Sequence, residues 1–410
     1  MSVRTAGAPV TTEEGTAGAA PVRVALVGTR GFGAHHLVNL DRLVGEGLAE
    51  LVGVVDVAEP PAELAAIHHP TLGGLLEALG EERRPEVVII ATPIDTHVPL
   101  ALEALAAGSH VYLEKPPVPA LTDLGMLAEA ADAAHRTIQV GFQARGGAGI
   151  DELREIVRAG TLGKVTAVRA YGAWVRDRAY YHRSRWAGRR RLDGRRVADG
   201  VATNPLAHSV HAALAIAGLR RIEDVAGVTT ELRRAHDIEA DDTTFLRVAP
   251  AGDGPPVLAA LTTVAPDSSE PWVEVLAEKG RVRLWYTADR SERVDAAGTV
   301  TRSEYARTDL VQNLLAHVRD RSVALISPLE DSGAFSAVLE AIQSVPDPLP
   351  IEAGVTWEGE GEAAHPVVDD IEAVLLRSLD EGRPFSELDG DGAVPWARAD
   401  AVGTWTPPTA

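Results

Sequence analysis

VRVALVGTRGFGAHH, residues 22–36, reads as a β-strand that breaks into a glycine-rich turn and then enters a helix. Gly28, Gly31 and Gly33 fall at the turn. A tight strand-to-helix turn needs glycine because the backbone must bend and approach a bound pyrophosphate closely. The helix amino terminus then offers unpaired N–H donors and a partial positive charge. The usual spacing places a glycine at position 30, where this chain carries Arg30. Gly31 lets the turn adjust, while Arg30 lies along the phosphates or points to solvent. Gly28, Arg30, Gly31, Phe32 and Gly33 are therefore the first candidate cofactor residues.

Outward from this turn, short apolar runs alternate with helical stretches. Strand-like runs are ELVGVVD ending at Asp56, EVVIIA from Glu86, HVYLEK from His110 and TIQVGF from Thr137, with helix-like segments at about 34–46, 96–107 and 119–134. Strands without alternation, separated by helices, imply a parallel sheet covered on both faces, with ligands at the carboxyl ends of its strands. Asp56 closes the second strand 23 residues after Gly33. There a carboxylate accepts hydrogen bonds from the adenosine ribose and repels a 2′-phosphate, favouring NAD over NADP. The plainer alternative makes Asp56 an ordinary strand-end turn residue.

From about residue 145 the pattern changes. Helical stretches at 149–159, 206–218, 309–320 and 332–344 alternate with longer strands, among them VTAVRAYGAWV from Val165, TTFLRV from Thr243, PVLAALTTV from Pro256 and the hairpin-like WVEVLAEKGRVRLWY from Trp272. Strand following strand points to an antiparallel sheet. The expected division is a disordered tail over 1–20, a doubly wound Rossmann domain over 21–144, and an α+β substrate and oligomerisation domain over 145–410. Its final helix is expected near 367–381, before an irregular tail rich in Gly, Pro and Asp.

Composition narrows the function. The 410 residues carry 39 basic and 59 acidic side chains, a net charge of −20, and no cysteine. Such an anion is repelled by nucleic acid and acidic membranes. Lack of cysteine removes disulfides, thiolate metal sites and cysteine nucleophiles, and fits a reducing compartment. With no apolar leader after a basic start and no run of about 18 apolar residues, a cytoplasmic location is expected.

The opening VGTRGFGAHH, the block ATPIDTHVPLALEALAAGSHVYLEKPP from Ala91 to Pro117, and NPLAH from Asn204 together resemble the glucose–fructose oxidoreductase/inositol dehydrogenase/MocA (Gfo/Idh/MocA) family over roughly 21–345. The resemblance implies a second domain with an open-faced, mostly antiparallel sheet that pairs between subunits, so a homodimer or homotetramer. It implies that Thr92, Pro93 and His97 line the nicotinamide half of the cofactor, that Glu114 bonds ribose hydroxyls, that Gln143 joins the cofactor site, and that Lys115 reaches the reacting group across a cis Lys115–Pro116 bond. The implied activity is NAD-dependent oxidation of a sugar, glycoside or polyol alcohol.

Lys115 also has a physical case. Alcohol oxidation needs a group that withdraws the hydroxyl proton as hydride leaves, and a lysine beside a cationic nicotinamide has its own cationic form disfavoured. The bland alternative is a solvated lysine in a Pro-rich loop. In TNPLAHSVHAAL, Asn204 followed by Pro205 reads as a helix cap and first helical residue. His208 then shares a face with Asn204 near the amino terminus, where the helix dipole disfavours imidazolium. Many relatives carry aspartate where this chain has Asn204, so a proton relay through that carboxylate is missing, and Asn204 either orients a substrate hydroxyl beside the catalytic candidates Lys115 and His208 or merely caps. His211 packs or faces substrate, and no metal site is expected.

Residues 176–196 hold nine arginines against Asp177 and Asp193, with Tyr180, Tyr181, His182 and Trp186 among them. The window either recognises an anionic sugar or is an exposed or intersubunit loop neutralised by the chain's carboxylates, the second being the preferred reading. Tyr180, Trp186, His208 and His211 are the candidate substrate residues. Two other functions compete: an NAD-dependent glycosidase that oxidises, eliminates and restores, and a dinucleotide-binding regulator without turnover.

Overall fold

A computed structural model describes residues 20–388, 394–397 and 402–408. The tail expected over 1–20 lies outside the described residues as far as residue 19. Two compact units emerge. The first runs to Gly146 and includes Thr308–Glu330, while the second comprises Gly147–Arg307 and the chain from Asp331.

The first unit contains strands β1 (Val22–Val27), β2 (Ala49–Val55), β3 (His68–His69), β4 (Val87–Ile90), β5 (His110–Leu113) and β6 (Ile138–Val140). They form one parallel sheet in the order β3-β2-β1-β4-β5-β6. Helices α1 (Phe32–Gly45), α2 (Leu72–Leu79), α3 (His97–Ala106) and α4 (Leu121–Ala134) supply the crossovers. The strand order reverses between β1 and β4, which opens a crevice at their carboxyl ends. The turn after β1, Asp56 after β2, Thr92 after β4 and Lys115 after β5 all lie on that edge.

A helix from the far end of the sequence completes this core. Leu310, Val311, Leu314 and Leu315 of α8 (Leu310–Arg319) pack with Val22, Val24, Leu26, Val87 and Ile89. Gln139 Nε2 donates to Asn313 Oδ1 at 3.1 Å, and Asn39 Nδ2 to Asp309 Oδ1 at 3.1 Å. The expectation of one crossing near residue 145 does not contain this return.

In the second unit the strands are β7 (Val165–Ala173), β8 (Arg191–Leu192), β9 (Arg195–Arg196), β10 (Val225–Arg234), β11 (Thr243–Pro250), β12 (Val257–Thr262), β13 (Trp272–Ala277), β14 (Gly280–Trp285), β15 (Arg290–Asp295) and β16 (Val300–Glu304). Further along come β17 (Leu349–Pro350), β18 (Val355–Glu358), β19 (His365–Val368) and β20 (Val402–Trp405). The main sheet runs β16-β15-β14-β13-β7-β12-β11-β10-β17, with β20 also paired to β10. It is antiparallel except where β7 meets β12 and β10 meets β17. The expected architecture, a parallel sheet plus a mostly antiparallel one, is the observed one.

The face expected to stand open is covered. The short helix α6 (Arg178–His182) follows β7, and helices α5 (Ala148–Ala159), α7 (Ala207–Ala217) and α9 (Gly333–Ser344) lie with one side of the sheet. Gly172 of β7 backs directly onto Leu206, where an added Cβ would come within 2.7 Å. Alternate residues point the other way: Ala167, Tyr171 and Ala173 of β7, with Leu258 and Ala260 of β12. These pack against Ile371, Leu375 and Leu379 of α10 (Ile371–Glu381), and against Phe385, Leu388, Val394 and Trp396. Tyr171 Oη donates to Glu372 at 3.1 Å, and Arg169 reaches Asp380 at 2.8 Å. The chain's own C-terminal segment thus occupies the face expected to meet another subunit. The part of the supposedly irregular tail at Val402–Trp405 is a strand.

Candidate active site

Gly31 adopts φ 56°, ψ −121°, a region in which a side chain is strained. At Gly33 an added Cβ would stand 2.0 Å from the Gly28 carbonyl oxygen, so only glycine lets α1 start this close to β1. Helix α1 has no side-chain cap and no acidic residue in its first turn. Its leading N–H groups and dipole are thereby offered to an anion, which fits the pyrophosphate of a dinucleotide. Gly33→Ala is expected to weaken NAD binding at least about tenfold by calorimetry, because either the turn or the helix start must move.

Asp56 holds the same turn. Its Oδ2 accepts from Thr29 N at 3.0 Å and Thr29 Oγ1 at 2.7 Å, and its Oδ1 from Ala58 N at 3.1 Å. Partial burial pushes this carboxyl up. The hydrogen bonds from Thr29 and Ala58 and the Arg30 charge outweigh that and leave it below its ordinary value. A carboxylate has about four lone-pair positions, so these bonds leave capacity for ribose hydroxyls. Both roles foreseen for Asp56, turn residue and acceptor, are compatible with its geometry. Arg30 donates to Glu59 O at 3.3 Å, and Phe32 is exposed beside His35 and His36.

At the ends of β4 and β5 the expected residues form two groups. Thr92 and Thr96 share an Oγ1–Oγ1 hydrogen bond of 2.6 Å, and Thr96 also donates to Pro93 O. His97 does not line the surface. It is 1% exposed, with Nε2 2.8 Å from Thr92 O and Nδ1 3.0 Å from Pro116 O. Burial pushes its ring below the ordinary histidine value, against the pull of these carbonyls. It braces the β4 turn against the β5 turn, and the Lys115–Pro116 bond is cis as expected.

Glu114 is also interior, 5% exposed. Its Oε1 lies 2.8 Å from His36 Nε2 and accepts from Gln143 Nε2 at 3.1 Å, while Oε2 accepts from Lys115 N at 3.3 Å. Gln143 further donates to Tyr112 Oη at 3.3 Å, and His36 meets the Tyr112 ring edge-on. Burial pushes the Tyr112 hydroxyl well above its ordinary value, keeping it neutral. Glu114 is thus buried among side chains of its own unit, with the half-buried Gln143 beside it. The role of His36 was missed, although its spacing with Gly33, Leu40 and Leu43 marks the buried stripe of α1.

In the second unit α7 begins two residues later than expected. Leu206, not Asn204, is the N-cap. The Asn204 amide instead donates to Asp199 Oδ1. Asn204 and His208 consequently do not share one helical face, but His208 lies in the first turn of α7 and is half-buried. His211 is 2% exposed and packs edge-on to Phe335, which makes it a core residue rather than a substrate contact.

The Arg-rich window is largely paired inside its own unit. Arg196 bonds Glu340 at 2.7 Å, Arg190 donates to the carbonyls of Ile342, Val345 and Pro346, and Arg183, Arg185 and Arg189 meet Asp199, Asp193 and Glu239. Arg183 also stacks 3.7 Å above Tyr180 and 4.7 Å from Trp186. A groove of about 700 Å³ along this loop is lined by Arg185, Arg189 and Arg234, but equally by Asp237, Glu239 and Asp347. Its charges balance, as the preferred reading of the window requires. Among the described residues, no cluster of three or more His, Asp or Glu could hold a metal ion, and no helix is long and apolar enough to cross a membrane.

Two family descriptions match the chain: "Oxidoreductase family, NAD-binding Rossmann fold" over residues 22–142 and "GFO/IDH/MocA C-terminal domain" over 150–283. Inositol 2-dehydrogenase 3 of Saccharopolyspora erythraea is 34% identical over 145 residues, covering 35% of this chain and 42% of the relative. The match thus spans about two fifths of that relative's length. Among solved structures, an inositol dehydrogenase homolog from Azotobacter vinelandii complexed with NAD+ superposes with a TM-score of 0.65 at 18% identity, over 80% of this chain and 95% of its own. The WlbA dehydrogenase of Bordetella pertussis, in complex with NADH and UDP-GlcNAcA, gives 0.63 at 24% identity, over 81% and 100%. Such identities speak for the fold, and the two matched domains speak for descent. The chain belongs to the Gfo/Idh/MocA family, and its first domain is an NAD-binding Rossmann fold.

Proposed function

We propose that this protein is an NAD-dependent dehydrogenase that oxidises a secondary alcohol of a sugar, glycoside or polyol, with an inositol as the first substrate to try. The observation that carries the reading is the seat of Lys115. It follows a parallel strand at the cofactor edge, after a glutamate held by His36 and Gln143 and before a turn braced by His97. Such support from beneath holds a reacting side chain in one geometry.

NAD supplies the hydride acceptor when bound. Neutral Lys115 takes the hydroxyl proton as the carbon–hydrogen bond gives up its electron pair, and in the reverse direction its ammonium returns that proton to the ketone oxygen. His208, in the first turn of α7, is proposed as a second proton-handling group, and Tyr180 and Trp186 as substrate contacts. Arg30, Phe32, Thr92 and Pro93 are proposed to line the cofactor.

The test is a panel of myo-inositol, other polyols, free sugars, uronates and glycosides, followed by NADH absorbance and product chromatography. Stoichiometric NADH from an alcohol supports the reading. Product formed with catalytic NAD and no net NADH marks the oxidation–elimination–reduction route instead, and no turnover of any member overturns both. Asp56→Asn is expected to narrow the preference for NAD over NADP about tenfold in Kd, since one carboxylate charge stops repelling the 2′-phosphate. Equal affinities in the unaltered protein would remove Asp56 from this role.

A further inference from the structure

We propose that the first unit carries an oxyanion site where β5 and β6 begin, formed by His110, Arg136, His317 and Arg321 and suited to a phosphate group, free or as a monoester. The four residues are distant in the chain. His110 opens β5, Arg136 stands just before β6, and His317 and Arg321 belong to α8 and the turn that follows it. The cofactor turn, Asp56 and Lys115 all follow the carboxyl ends of parallel strands, so this cluster occupies the opposite edge of the sheet.

The hydrogen bonds around His110 do not close. The residue is 4% exposed, with Thr137 N donating to its Nδ1 at 3.0 Å and Arg321 Nη2 standing 2.6 Å from its Nε2. Burial and the charges of Arg321 and Arg136 push the ring down to about 3, so it is neutral and carries one N–H. Both neighbours are donors. A proton on Nδ1 meets the backbone N–H, and a proton on Nε2 meets the guanidinium. Thr137 Oγ1, 2.8 Å from Nδ1, serves either tautomer. The Thr137 backbone is fixed by its carbonyl, which accepts from Val111 N at 3.0 Å, whereas Arg321 is an exposed side chain. Nε2 therefore takes the proton and faces Arg321 donor to donor. An oxygen that accepts from both resolves the conflict. At His317 the roles are settled: Nδ1 donates to Val323 O at 2.7 Å, and Nε2 accepts from Arg321 Nη1 at 3.0 Å.

The charge is not compensated either. Arg136 donates to the carbonyls of Gly108 and His135, and the Arg321 side chain meets the two imidazoles. Among the described residues neither guanidinium forms an ion pair with a carboxylate, in a chain with 59 acidic against 39 basic side chains. The adjacent Asp320 turns its carboxylate to Ser322 N at 2.8 Å. Burial and the Arg136 charge hold Arg321 below its ordinary value, so the fold resists its cation.

Two positive charges and a ring N–H in want of an acceptor match a dianion with several oxygens. Guanidinium binds phosphate through paired N–H groups, and a second oxygen reaches the imidazole. A carboxylate brings one charge and two oxygens, which leaves one guanidinium unneutralised. Once bound, the oxyanion joins the return segment Thr308–Glu330 to β5 across 211 residues of sequence, and so stabilises the first unit.

The test uses the full chain saturated with NAD, which fills the pyrophosphate turn, in buffer without phosphate or sulfate. Inorganic phosphate and glucose 6-phosphate are titrated by calorimetry at fixed ionic strength, with chloride as the balancing anion. A single saturable site is expected, with a Kd of about 1 mM or tighter for one or both. Binding of inorganic phosphate assigns the site to the free anion, and binding of the ester alone assigns it to a phosphorylated metabolite. Arg321→Ala is expected to weaken that binding at least about tenfold, whereas Arg319→Ala, an equal loss of charge two residues away, keeps it within about twofold. Thermal midpoints supply a sign. Without phosphate, Arg321→Ala is expected to match or exceed the unaltered chain, because a repelled charge and a facing donor are removed. With saturating phosphate the order reverses. No saturable binding of either compound, equal binding in the two variants, or a lowered midpoint of Arg321→Ala in phosphate-free buffer overturns the proposal.

Discussion

Replacing Lys115 with alanine is expected to lower kcat at least about a thousandfold, because it removes the amine proposed to exchange a proton with the reacting oxygen. The same change should leave NAD affinity within about threefold, since the pyrophosphate turn and Asp56 are untouched. The structure makes this separation sharp. Lys115 contributes its backbone N–H to Glu114 Oε2, a bond that alanine retains. The brace of His97 to Pro116 O is likewise independent of the side chain at 115. The turn should therefore survive the substitution while the amine vanishes. Lys115→Arg should be nearly as inactive, because guanidinium does not release its proton near neutral pH. Stopped-flow NADH absorbance with calorimetric NAD titration separates the two quantities. Near-normal turnover in the alanine variant removes Lys115 from the chemistry.

The Rossmann half was legible because its signals are local. An apolar run, glycines at a turn, a helix and a strand-end carboxylate occur in order, and each is a consequence of backbone geometry within a few residues. What escaped depends on partners distant in the chain. Helix α8 has a plain helical pattern, but nothing in Leu310–Arg319 says that its apolar side joins Val22, Leu26 and Ile89, all more than two hundred residues earlier. Helix α2 was missed because Gly73 and Gly74 depress helix propensity, although Thr71 caps it through Gly74 N. Strand β10 gave a poor pattern because Glu231 and Arg233 are both fully buried, bonded to each other at 2.7 Å, so charge there does not mark the solvent side.

Within the site, residue types were easier to read than their depth. His97, Glu114 and Gln143 were singled out as cofactor residues, without any sign of their depth. The structure turns two of them into a brace and a buried acceptor, and makes Gln143 the donor that steadies that acceptor. Asn204–Pro205 has the form of a helix start, yet the amide is already taken by Asp199, and the helix begins where Leu206 leaves the preceding turn. A capping side chain that finds a buried carboxylate no longer caps. The sequence contained both residues five apart, without any sign that they meet.

Removing the chain from Ile371 onward should have the largest effect on stability, for a reason opposite to that expected of a tail. Past the expected final helix the segment has the Gly, Pro and Asp content of a loop, but Phe385 and Trp396, like Leu375 and Leu379 of that helix, lie on the sheet beside Tyr171, Phe245 and Trp272. Tyr171 and Trp272 stack with ring centroids 5.1 Å apart, and Phe385 meets Phe245 and Trp396 edge-on. Uncovering this face exposes a contiguous apolar patch of the kind that soluble monomers avoid. The truncated chain is expected to self-associate in sedimentation velocity and to lose its cooperative thermal transition. Smaller deletions grade the effect: Leu375→Ala should cost about 3 kcal/mol and Phe385→Ala about 4 kcal/mol, each lowering Tm by roughly 2–4 °C per kcal/mol. In the intact chain this part of the face is buried by the chain's own C-terminal segment, and Leu375→Ala is expected to leave the full-length mass in solution unchanged. A truncated chain that keeps both its midpoint and its mass would mean that the segment rests on the sheet without holding it.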